Sequence, residues 1–419
     1  MNQTGVVKRS MRATGDAESG KKKIEWAQNL MPVLRDIASE FSLNRPLNDV
    51  VIAATLHVTK ETGVLVRALR SGGAEVVLTA SNPLSTDDDV AAALSAEGTA
   101  VKAWRGMGSK EYVEALDWAH SHAPQLIIDD GADSIVRIHE TGRGVENVLA
   151  GLEETTTGVM RVKALERDRK LRFPVIAVNQ ANTKRLFDNV YGTGQSSFDG
   201  IMRATSMMIA GRCIVVAGFG PVGRGIAMRA RGLGARVVVT EVEPVRALEA
   251  YMNGYEVMPM REASRVGDIF ITATGDIRVI TLDNIKTMKD GAVLANSGHF
   301  DVEVDVAALY AASTSKKEIR PGLEELTLPN GKKVFLLGQG RLVNLVCAEG
   351  HPPDVMDMSF ANQALCARYV LEEKPRAPAV LNVPEAIDDE VATRKLKAVG
   401  VNIDELTDEQ EKYLKSWRI

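Results

Sequence analysis

Short apolar runs alternate along the chain with longer segments whose apolar residues recur at helical spacing. The helical spacing is first visible over residues 24–41. The first series of short runs, with helical patterns such as 64–70 and 90–94 between its members, lies at 50–56, 75–79, 100–104 and 126–128. This alternation predicts βαβ units, in which parallel strands form a sheet covered by helices.

A second series of short apolar runs follows after a segment of mixed character. Its members lie at 213–217, 236–240, 269–273, 292–295 and 333–337. Between the two series, residues 188–194 are rich in turn-forming residues and suggest a hinge. The pattern therefore predicts an α/β protein with two doubly wound, Rossmann-like domains and a small helical appendage at the C-terminus.

Composition narrows the classes of partner. The chain has 419 residues, of which 45% are hydrophobic and 25% charged, so it is expected to be globular with at least two large domains. A net charge of −4 argues against nucleic acid, because phosphate binding uses a concentrated basic surface. No stretch reaches the roughly 18 consecutive apolar residues of a membrane-spanning helix. We expect a small-molecule partner, no nucleic acid and no membrane.

The cysteines and the first residues bear on location. Cys213, Cys347 and Cys366 lack the close pairing of a zinc site or a redox dithiol, so we predict no metal site and a reducing cytoplasm. Residues 1–23 are polar and lack the apolar run of a signal peptide, which suggests a flexible tail.

A glycine motif opens the second series. Gly218, Gly220 and Gly223 form G-x-G-x-x-G after the apolar run 213–217 and before a helical pattern. In this context the glycines allow a tight turn, close approach of a pyrophosphate and close packing of helix on strand. Glu241 follows at the end of the next predicted strand, where a carboxylate binds ribose hydroxyls and repels a 2′-phosphate. The motif predicts a site for NAD rather than NADP.

Polar residues cluster where the predicted strands end, which is where open α/β sheets bind ligands. Each cluster also has a purely structural interpretation: His57 could cap a helix, and Lys184 with Asp188 could be a surface pair worth a few tenths of a kcal/mol. Their number, together with an NAD site, favours catalysis.

Several of these strings resemble those of the adenosylhomocysteinase family, in the same order and over nearly the whole chain from Ile24. They are 82–86 (NPLST), 129–131 (DDG), 153–158 (EETTTG), Lys184 with 187–189 (FDN), 298–301 (GHFD), 341–344 (RLVN) and 350–352 (GHP). The resemblance implies a substrate domain at 24–188 and 350–374, an NAD domain at 189–349, and an oligomerisation extension at 375–419. It also implies a homotetramer built from dimers.

The resemblance further implies reversible hydrolysis of S-adenosyl-L-homocysteine to adenosine and homocysteine, with NAD oxidising and then re-reducing the ribose 3′ carbon. The implied catalytic residues are His57, Asp130, Glu154, Lys184, Asp188 and His299. Lys184 is expected to have a lowered pKa, since it would assist removal of the 3′-hydroxyl proton. The implied substrate-binding residues are Thr59, Glu61, Asn179, His351 and Met356, and the further NAD-binding residues are Thr155, Thr156, Thr157, Asn189, Val222, Arg246, Thr274, Gly275 and Asn344.

Glu61 is expected to accept a hydrogen bond from the adenine amine and so to disfavour inosine, which presents a carbonyl there. The alternative is an S-inosyl-L-homocysteine hydrolase of the same family. An ordinary dehydrogenase that releases NADH and an inactive NAD-sensing protein are the other hypotheses. The chain ends at 416–419 (SWRI) without the lysine- and tyrosine-bearing tail of many relatives, so we expect NAD to be retained less firmly than in them.

Overall fold

Two separate β-sheets organise the chain, whose computed structural model describes residues 15–417. With strands numbered along the chain, the first sheet contains β1 (Val51–Leu56), β2 (Glu75–Ala80), β3 (Ala100–Lys102), β4 (Leu126–Asp129), β5 (Ala150–Glu153), β6 (Val175–Ala177) and β15 (Val380–Asn382). Its order is β15-β6-β5-β4-β1-β2-β3, and every neighbouring pair is parallel. The strands that follow β1 lie on both sides of it, with β2 and β3 on one side and β4, β5 and β6 on the other. At such a reversal of strand order, the carboxyl ends of β1 and β4 flank a cleft suited to a ligand.

The second sheet is mixed. It contains β7 (Cys213–Ala217), β8 (Arg236–Thr240), β9 (Glu256–Val257), β10 (Ile269–Thr272), β11 (Ala292–Asn296), β12 (Ser315–Arg320), β13 (Leu323–Thr327) and β14 (Lys333–Leu337). The order is β12-β13-β14-β11-β10-β7-β8-β9, with antiparallel pairing of β12 with β13 and of β13 with β14. The predicted fold class, two doubly wound Rossmann-like domains, is confirmed.

Helices cover both sheets. The first half of the chain forms α1 (Ala17–Asn29), α2 (Pro32–Asn44), α3 (Lys60–Ser71), α4 (Asp88–Ala96), α5 (Ser109–His120), α6 (Asp133–Thr141), α7 (Thr156–Arg167), α8 (Asn182–Arg185) and α9 (Thr193–Thr205). The second half forms α10 (Pro221–Gly232), α11 (Pro244–Met252), α12 (Met260–Val266), α13 (Leu282–Thr287), α14 (Val306–Ala312), α15 (Val343–Val346), α16 (Pro353–Glu373), α17 (Glu385–Ala398) and α18 (Asp408–Lys415). Among residues 15–417, no helix is both long enough and apolar enough to cross a membrane.

Helix α16 returns the chain from the second domain to the first. Its residues Phe360, Ala364 and Leu365 are buried in the same apolar cluster as Ile52 of β1 and Leu65 of α3. Because α16 contributes to the core of the first domain, residues before and after the second domain form one structural unit.

The predicted tail at 1–23 was wrong for residues 17–23, which belong to α1. Gly20 lies so close to α4 that a Cβ at this position would be 2.0 Å from the carbonyl oxygen of Asp89. Lys23 adds ion pairs of 2.8 Å to Asp87 and 2.9 Å to Asp89. The sequence pattern missed this helix because its short buried face consists of Gly20, Ile24 and Ala27. Residues 1–14 of the predicted tail lie outside the described residues.

Two further boundaries differ from the prediction. The range 375–419 is not one separate extension, since β15 pairs with β6 and α17 packs on the core of the first domain through Ile387 and Val391. The turn-rich stretch at 188–194 is helical: a π-helical turn at Asp188–Gly192 leads directly into α9. Glycine and asparagine content suggested a turn there, but burial of Asp188 and Asn189 against neighbouring side chains stabilises the wide helical turn.

Candidate active site

One cavity lies between the two domains and collects most of the predicted site residues. It encloses about 1190 Å³ of empty space, open solvent at its mouth included, which is ample for a small-molecule ligand. The predicted residues that line it are His57, Thr59, Glu61, Asp130, Glu154, Thr155, Thr156, Thr157, Asn179, Lys184, Asp188, Asn189, Val222, Thr274, Gly275, His299, Asn344, His351 and Met356. Five predicted residues are not among its lining residues. Gly218, Gly220 and Gly223 form the glycine turn after β7, Glu241 follows β8 and accepts a hydrogen bond from the N–H of Phe219, and Arg246 lies in α11.

Lys184 is the centre of a buried polar group at one end of the cavity. Its ammonium donates hydrogen bonds to Asp188 Oδ1 at 3.0 Å and Asn189 Oδ1 at 2.9 Å, and lies 3.6 Å from Glu154 Oε1. Asn189 in turn donates to Asn179 Oδ1 at 3.1 Å. Lys184 and Asp188, for which the sequence also allowed an exposed surface pair, are buried, since Lys184 is only 4% exposed and Asp188 only 2%.

The electrostatics of this group differ from the expectation for Lys184. Burial by itself favours the neutral amine, but the carboxylates of Asp188 and Glu154 outweigh it and raise the pKa of Lys184 above its ordinary value. The predicted lowering of this pKa was wrong, because it considered burial and NAD without the two acids. Burial also raises the pKa of Glu154 to about 7, although Lys184 partly opposes the shift. Glu154 is therefore the member of the group that titrates near neutrality.

His57, Asp130 and His299 form a second group across the cavity. Asp130 Oδ2 lies 3.6 Å from His57 Nε2, and Asp130 Oδ1 lies 4.0 Å from His299 Nδ1. Burial, with a smaller contribution from the charge of His351, lowers the pKa of His57 to about 3, so its imidazole is neutral at working pH. These three side chains also have the spacing of a metal site, which was not expected from the sequence.

Hydrogen bonds identify the tautomer of His57. Ser85 Oγ donates to the carbonyl oxygen of Asn82 at 2.7 Å and lies 2.6 Å from His57 Nδ1. Since the Ser85 proton is already used, Nδ1 carries the hydrogen and donates to Ser85. The lone pair of Nε2 then faces Asp130 and the cavity, where it can accept a proton.

Gly131 brings His299 of the second domain onto the first. It has φ +113°, and a Cβ at this position would lie 2.3 Å from His299 Nε2. Only glycine adopts this backbone conformation without strain, and only glycine leaves room for the ring. The backbone N–H of Gly131 donates to Glu153 Oε1 at 2.9 Å, which holds the loop in place.

The cavity is also lined by Thr59, Glu61 and Met356. Thr59 precedes α3, but its side chain makes no capping hydrogen bond. Glu61 is 2% exposed, and its Oε1 lies 3.2 Å from Lys60 Nζ but has no partner of hydrogen-bond geometry within the described structure. A buried acceptor that lines a cavity in this way is available to a donor on a ligand.

The residues of the glycine turn fit NAD. Gly218 has φ +96°, and a Cβ on Gly223 would lie 1.9 Å from the carbonyl oxygen of Gly218, so both positions require glycine. Burial opposes ionisation of Glu241, but hydrogen bonds from the N–H groups of Glu243, Phe219 and Val242 lower its pKa. Among residues 15–417, the buried Oδ1 of Asn344, which lines the cavity, has no hydrogen-bond partner.

Comparison with known proteins agrees with this geometry. The model of the S-adenosyl-L-homocysteine hydrolase family matches residues 9–151, and the model of its NAD-binding domain matches residues 189–350. The chain is 57% identical over 425 residues to an adenosylhomocysteinase of Pyrobaculum aerophilum, covering 96% of this chain and 97% of the relative. This chain belongs to the S-adenosyl-L-homocysteine hydrolase family. It is accordingly a hydrolase that uses NAD as its cofactor.

Two further relatives of similar identity to this chain are named for two different substrates. An adenosylhomocysteinase of Saccharolobus solfataricus is 55% identical over 404 residues, covering 96% of this chain and 97% of the relative. An S-inosyl-L-homocysteine hydrolase of Methanocaldococcus jannaschii is 52% identical over 403 residues with the same two coverages. Sequence identity of this order does not decide between the adenosyl and the inosyl substrate, so that choice depends on the residues that contact the purine base.

Four residues of this hydrolase site were missed when only the sequence was considered. On α16, Ser359 donates to Asp188 Oδ2 at 2.9 Å and Gln363 donates to Glu154 Oε2 at 2.6 Å. Glu153 and Glu303 hold the cofactor-side loops, and Glu303 accepts hydrogen bonds from both the N–H and the hydroxyl of Thr274. The i, i+4 spacing of polar Ser359 and Gln363 on an otherwise apolar helix face was the available signal.

Proposed function

We propose that this chain catalyses the reversible hydrolysis of S-adenosyl-L-homocysteine, with the cavity between the domains as its active site. One observation carries the proposal: the buried Lys184, Asp188 and Glu154 group and the His57, Asp130 and His299 group line the same cavity. The first group suits ribose hydroxyls, and the second suits proton transfer beside them. Bound NAD supplies reversible removal of the hydride on the 3′ carbon.

Lys184 and Asp188 hold the ribose hydroxyls. Since the pKa of Lys184 is raised, its ammonium becomes a base only by giving a proton away. Glu154, with a pKa of about 7 and Oε1 at 3.6 Å, is the acceptor. Lys184 Nζ passes a proton to Glu154 Oε1 and takes up the proton of the 3′-hydroxyl. Asn179 and Asn189 fix the orientation of the ammonium through their hydrogen-bonded chain.

Asp130 and His57 act on the other side of the sugar. Burial raises the pKa of Asp130, although the charges of His299 and Lys184 lower it, so this carboxyl can exchange a proton with the 4′ carbon. In hydrolysis, His57 Nε2 passes to the leaving thiolate the proton that Asp130 takes from the 4′ carbon, and it later takes a proton from the attacking water and returns it to Asp130. His299 closes this side of the cavity against water.

Adenine is the preferred base. Glu61 offers a buried acceptor, which the 6-amino group of adenine satisfies and the 6-oxo group of hypoxanthine does not. His351 and Met356 also line the cavity, and His351 Nδ1 lies 3.6 Å from Asp188 Oδ1. On purified protein, kcat/KM for S-adenosyl-L-homocysteine should exceed that for S-inosyl-L-homocysteine by about 10²-fold or more. Equal or reversed preference would favour the S-inosyl alternative and remove the role of Glu61.

A Lys184→Ala variant tests the proposed proton transfer at the ribose separately from recognition of the purine base. Loss of the ammonium should lower thiol release from either nucleoside by at least about 10²-fold. The exposed Lys170→Ala is the matched control and should keep wild-type activity. NAD extracted from denatured protein after turnover should equal the amount before it, whereas a dehydrogenase would accumulate NADH. Full activity of Lys184→Ala would discredit the proposed mechanism.

We also infer a homotetramer in the cytoplasm. Helix α18 has no buried residue, and its Tyr413 and Leu414 are 58% and 68% exposed, which is the kind of surface that a neighbouring subunit covers. The three cysteines are free thiols, as in a reducing compartment. Light scattering on the purified protein measures the subunit number, and a monomer at micromolar concentration would contradict this inference.

A further inference from the structure

Lys60, which the mechanism above does not use, lies beside the carboxylate that faces the base. Its Nζ is 3.2 Å from Glu61 Oε1 and 3.1 Å from Glu349 Oε2. The Lys60 side chain is 14% exposed and that of Glu61 2%, so water screens this contact poorly. Of this ion pair, Glu61 lines the cavity and Lys60 does not.

The position of Lys60 is held from the other side by further charges. As the first residue of α3, a lysine is disfavoured by the positive end of the helix dipole, so it needs nearby acids. Glu349 is one of them, and it is itself bound by Arg203 Nη1 of α9 at 2.9 Å. Lys60 is thus the charged group that faces Glu61, with Glu349 and Arg203 lying behind it.

The ionisation state of Glu61 determines which base the cavity accepts. Burial raises the pKa of Glu61, and the charge of Lys60 is the largest influence in the opposite direction. An ionised carboxylate only accepts hydrogen bonds, whereas a protonated carboxyl also donates one. The 6-amino group of adenine is a donor, and the 6-oxo group of hypoxanthine is an acceptor. Only the protonated carboxyl can therefore donate a hydrogen bond to the 6-oxo group.

We propose that Lys60 is a specificity-determining residue, which keeps Glu61 in its ionised form and thereby excludes 6-oxopurine nucleosides from the base pocket. This inference rests on the proposed function, since that assigns the base to Glu61. Without the ammonium, burial would raise the pKa of Glu61 further, so a larger fraction of this carboxyl would be protonated at a given pH. The protonated carboxyl pairs with either base, so selectivity falls because the inosyl substrate gains, while the adenosyl substrate is retained.

The test compares Lys60→Met, Lys60→Arg and Glu349→Gln with wild-type holoenzyme. For each protein, kcat/KM is measured for S-adenosyl- and S-inosyl-L-homocysteine at about pH 6, 7 and 8. The adenosyl-to-inosyl ratio should change by less than about twofold in the wild type. In Lys60→Met it should fall about tenfold between pH 8 and 6, since an adjacent charge moves a carboxyl pKa by about 1–3 units. Lys60→Arg should restore the wild-type ratio.

Glu349→Gln is the matched control, because it removes the outer partner of Lys60 and leaves the ammonium beside Glu61. Its ratio should stay within about threefold of the wild type at every pH, as expected when a partner that is 60% exposed is lost. An unchanged ratio for Lys60→Met at all three pH values would overturn the proposal. So would an equal loss of activity on both nucleosides, which indicates a purely structural role. A wild-type enzyme that prefers the inosyl substrate would instead refute the base assignment in the proposed function, while Lys184→Ala still tests the chemistry.

Discussion

Replacing Gly131 with alanine should separate backbone strain from the docking of His299. The new Cβ would lie 2.3 Å from His299 Nε2, 3.0 Å from Cε1 and 3.2 Å from Cδ2. Since carbon atoms pack at about 3.5 Å or more, the ring has to retreat by about 1 Å. It then moves away from Asp130, whose Oδ1 is already 4.0 Å from Nδ1. A displacement of this size at a catalytic group costs about 10²-fold in rate.

The backbone contributes a second, independent effect. An alanine at φ +113° is strained by about 1–3 kcal/mol whether or not the second domain touches the loop. Gly106 offers a matched control, because it has φ +81° and a Cβ added there would meet nothing within 4 Å. Gly106→Ala bears comparable strain without any contact to a catalytic ring.

Two measurements distinguish the effects. Thermal unfolding should show a similar loss of stability in Gly131→Ala and Gly106→Ala. Steady-state hydrolysis should show kcat/KM lowered about 10–10²-fold in Gly131→Ala only. In a His299→Ala background, Gly131→Ala should cause little additional loss, because the ring that it displaces is gone. Wild-type kcat/KM in Gly131→Ala, or an equal loss in Gly106→Ala, would refute the reasoning.

Three further perturbations follow from the buried contacts. Ser359→Ala removes a hydrogen bond of 2.9 Å to Asp188 and should lower kcat about tenfold, because a hydrogen bond to a charged acceptor contributes about 1.5–3 kcal/mol. A Ser359→Thr variant keeps the hydroxyl, and its failure to restore kcat would argue against a role for this hydrogen bond. Glu154 has a pKa of about 7 in the folded chain and a lower one when unfolded, so its contribution to stability is present below about pH 4.5 and lost as pH rises through about 7. Urea unfolding at pH 5 and 8 should show this loss, up to about 3 kcal/mol, and Glu154→Gln should abolish it. Glu241→Ala should lower the NAD content of purified protein and raise NADP binding, as measured by chromatography of the extracted dinucleotide; unchanged content of both would contradict the ribose contact.

The repeating pattern of apolar runs was sufficient to predict the fold class, and the glycine motif within that pattern was sufficient to predict NAD binding. Buried parallel strands are short and apolar on both faces, so runs such as 213–217 and 292–295 stand out without any knowledge of their neighbours. The glycine turn is equally local, because the φ of Gly218 and the contact of Gly223 with its carbonyl oxygen arise within six residues. Local features of this kind are visible in a sequence.

Features that depend on contacts between residues far apart in the chain were harder to predict from the sequence. Helix α1 is recognised by its contact with α4, some 70 residues away, and β15 by its pairing with β6. Ser359 and Gln363 reach the site because α16 crosses back to the first domain, which no spacing near Asp188 or Glu154 indicates.

The sequence by itself determined two doubly wound sheets, an NAD-binding turn and, through family resemblance, most of the residues that line one cavity. The tertiary structure decided how those residues are charged. Burial and Coulomb interactions depend on distances between groups far apart in the chain, so the raised pKa of Lys184 and the neutral imidazole of His57 follow only from the packed site. For the same reason the contact of Lys60 with Glu349, nearly 300 residues away, becomes visible only once the two domains meet.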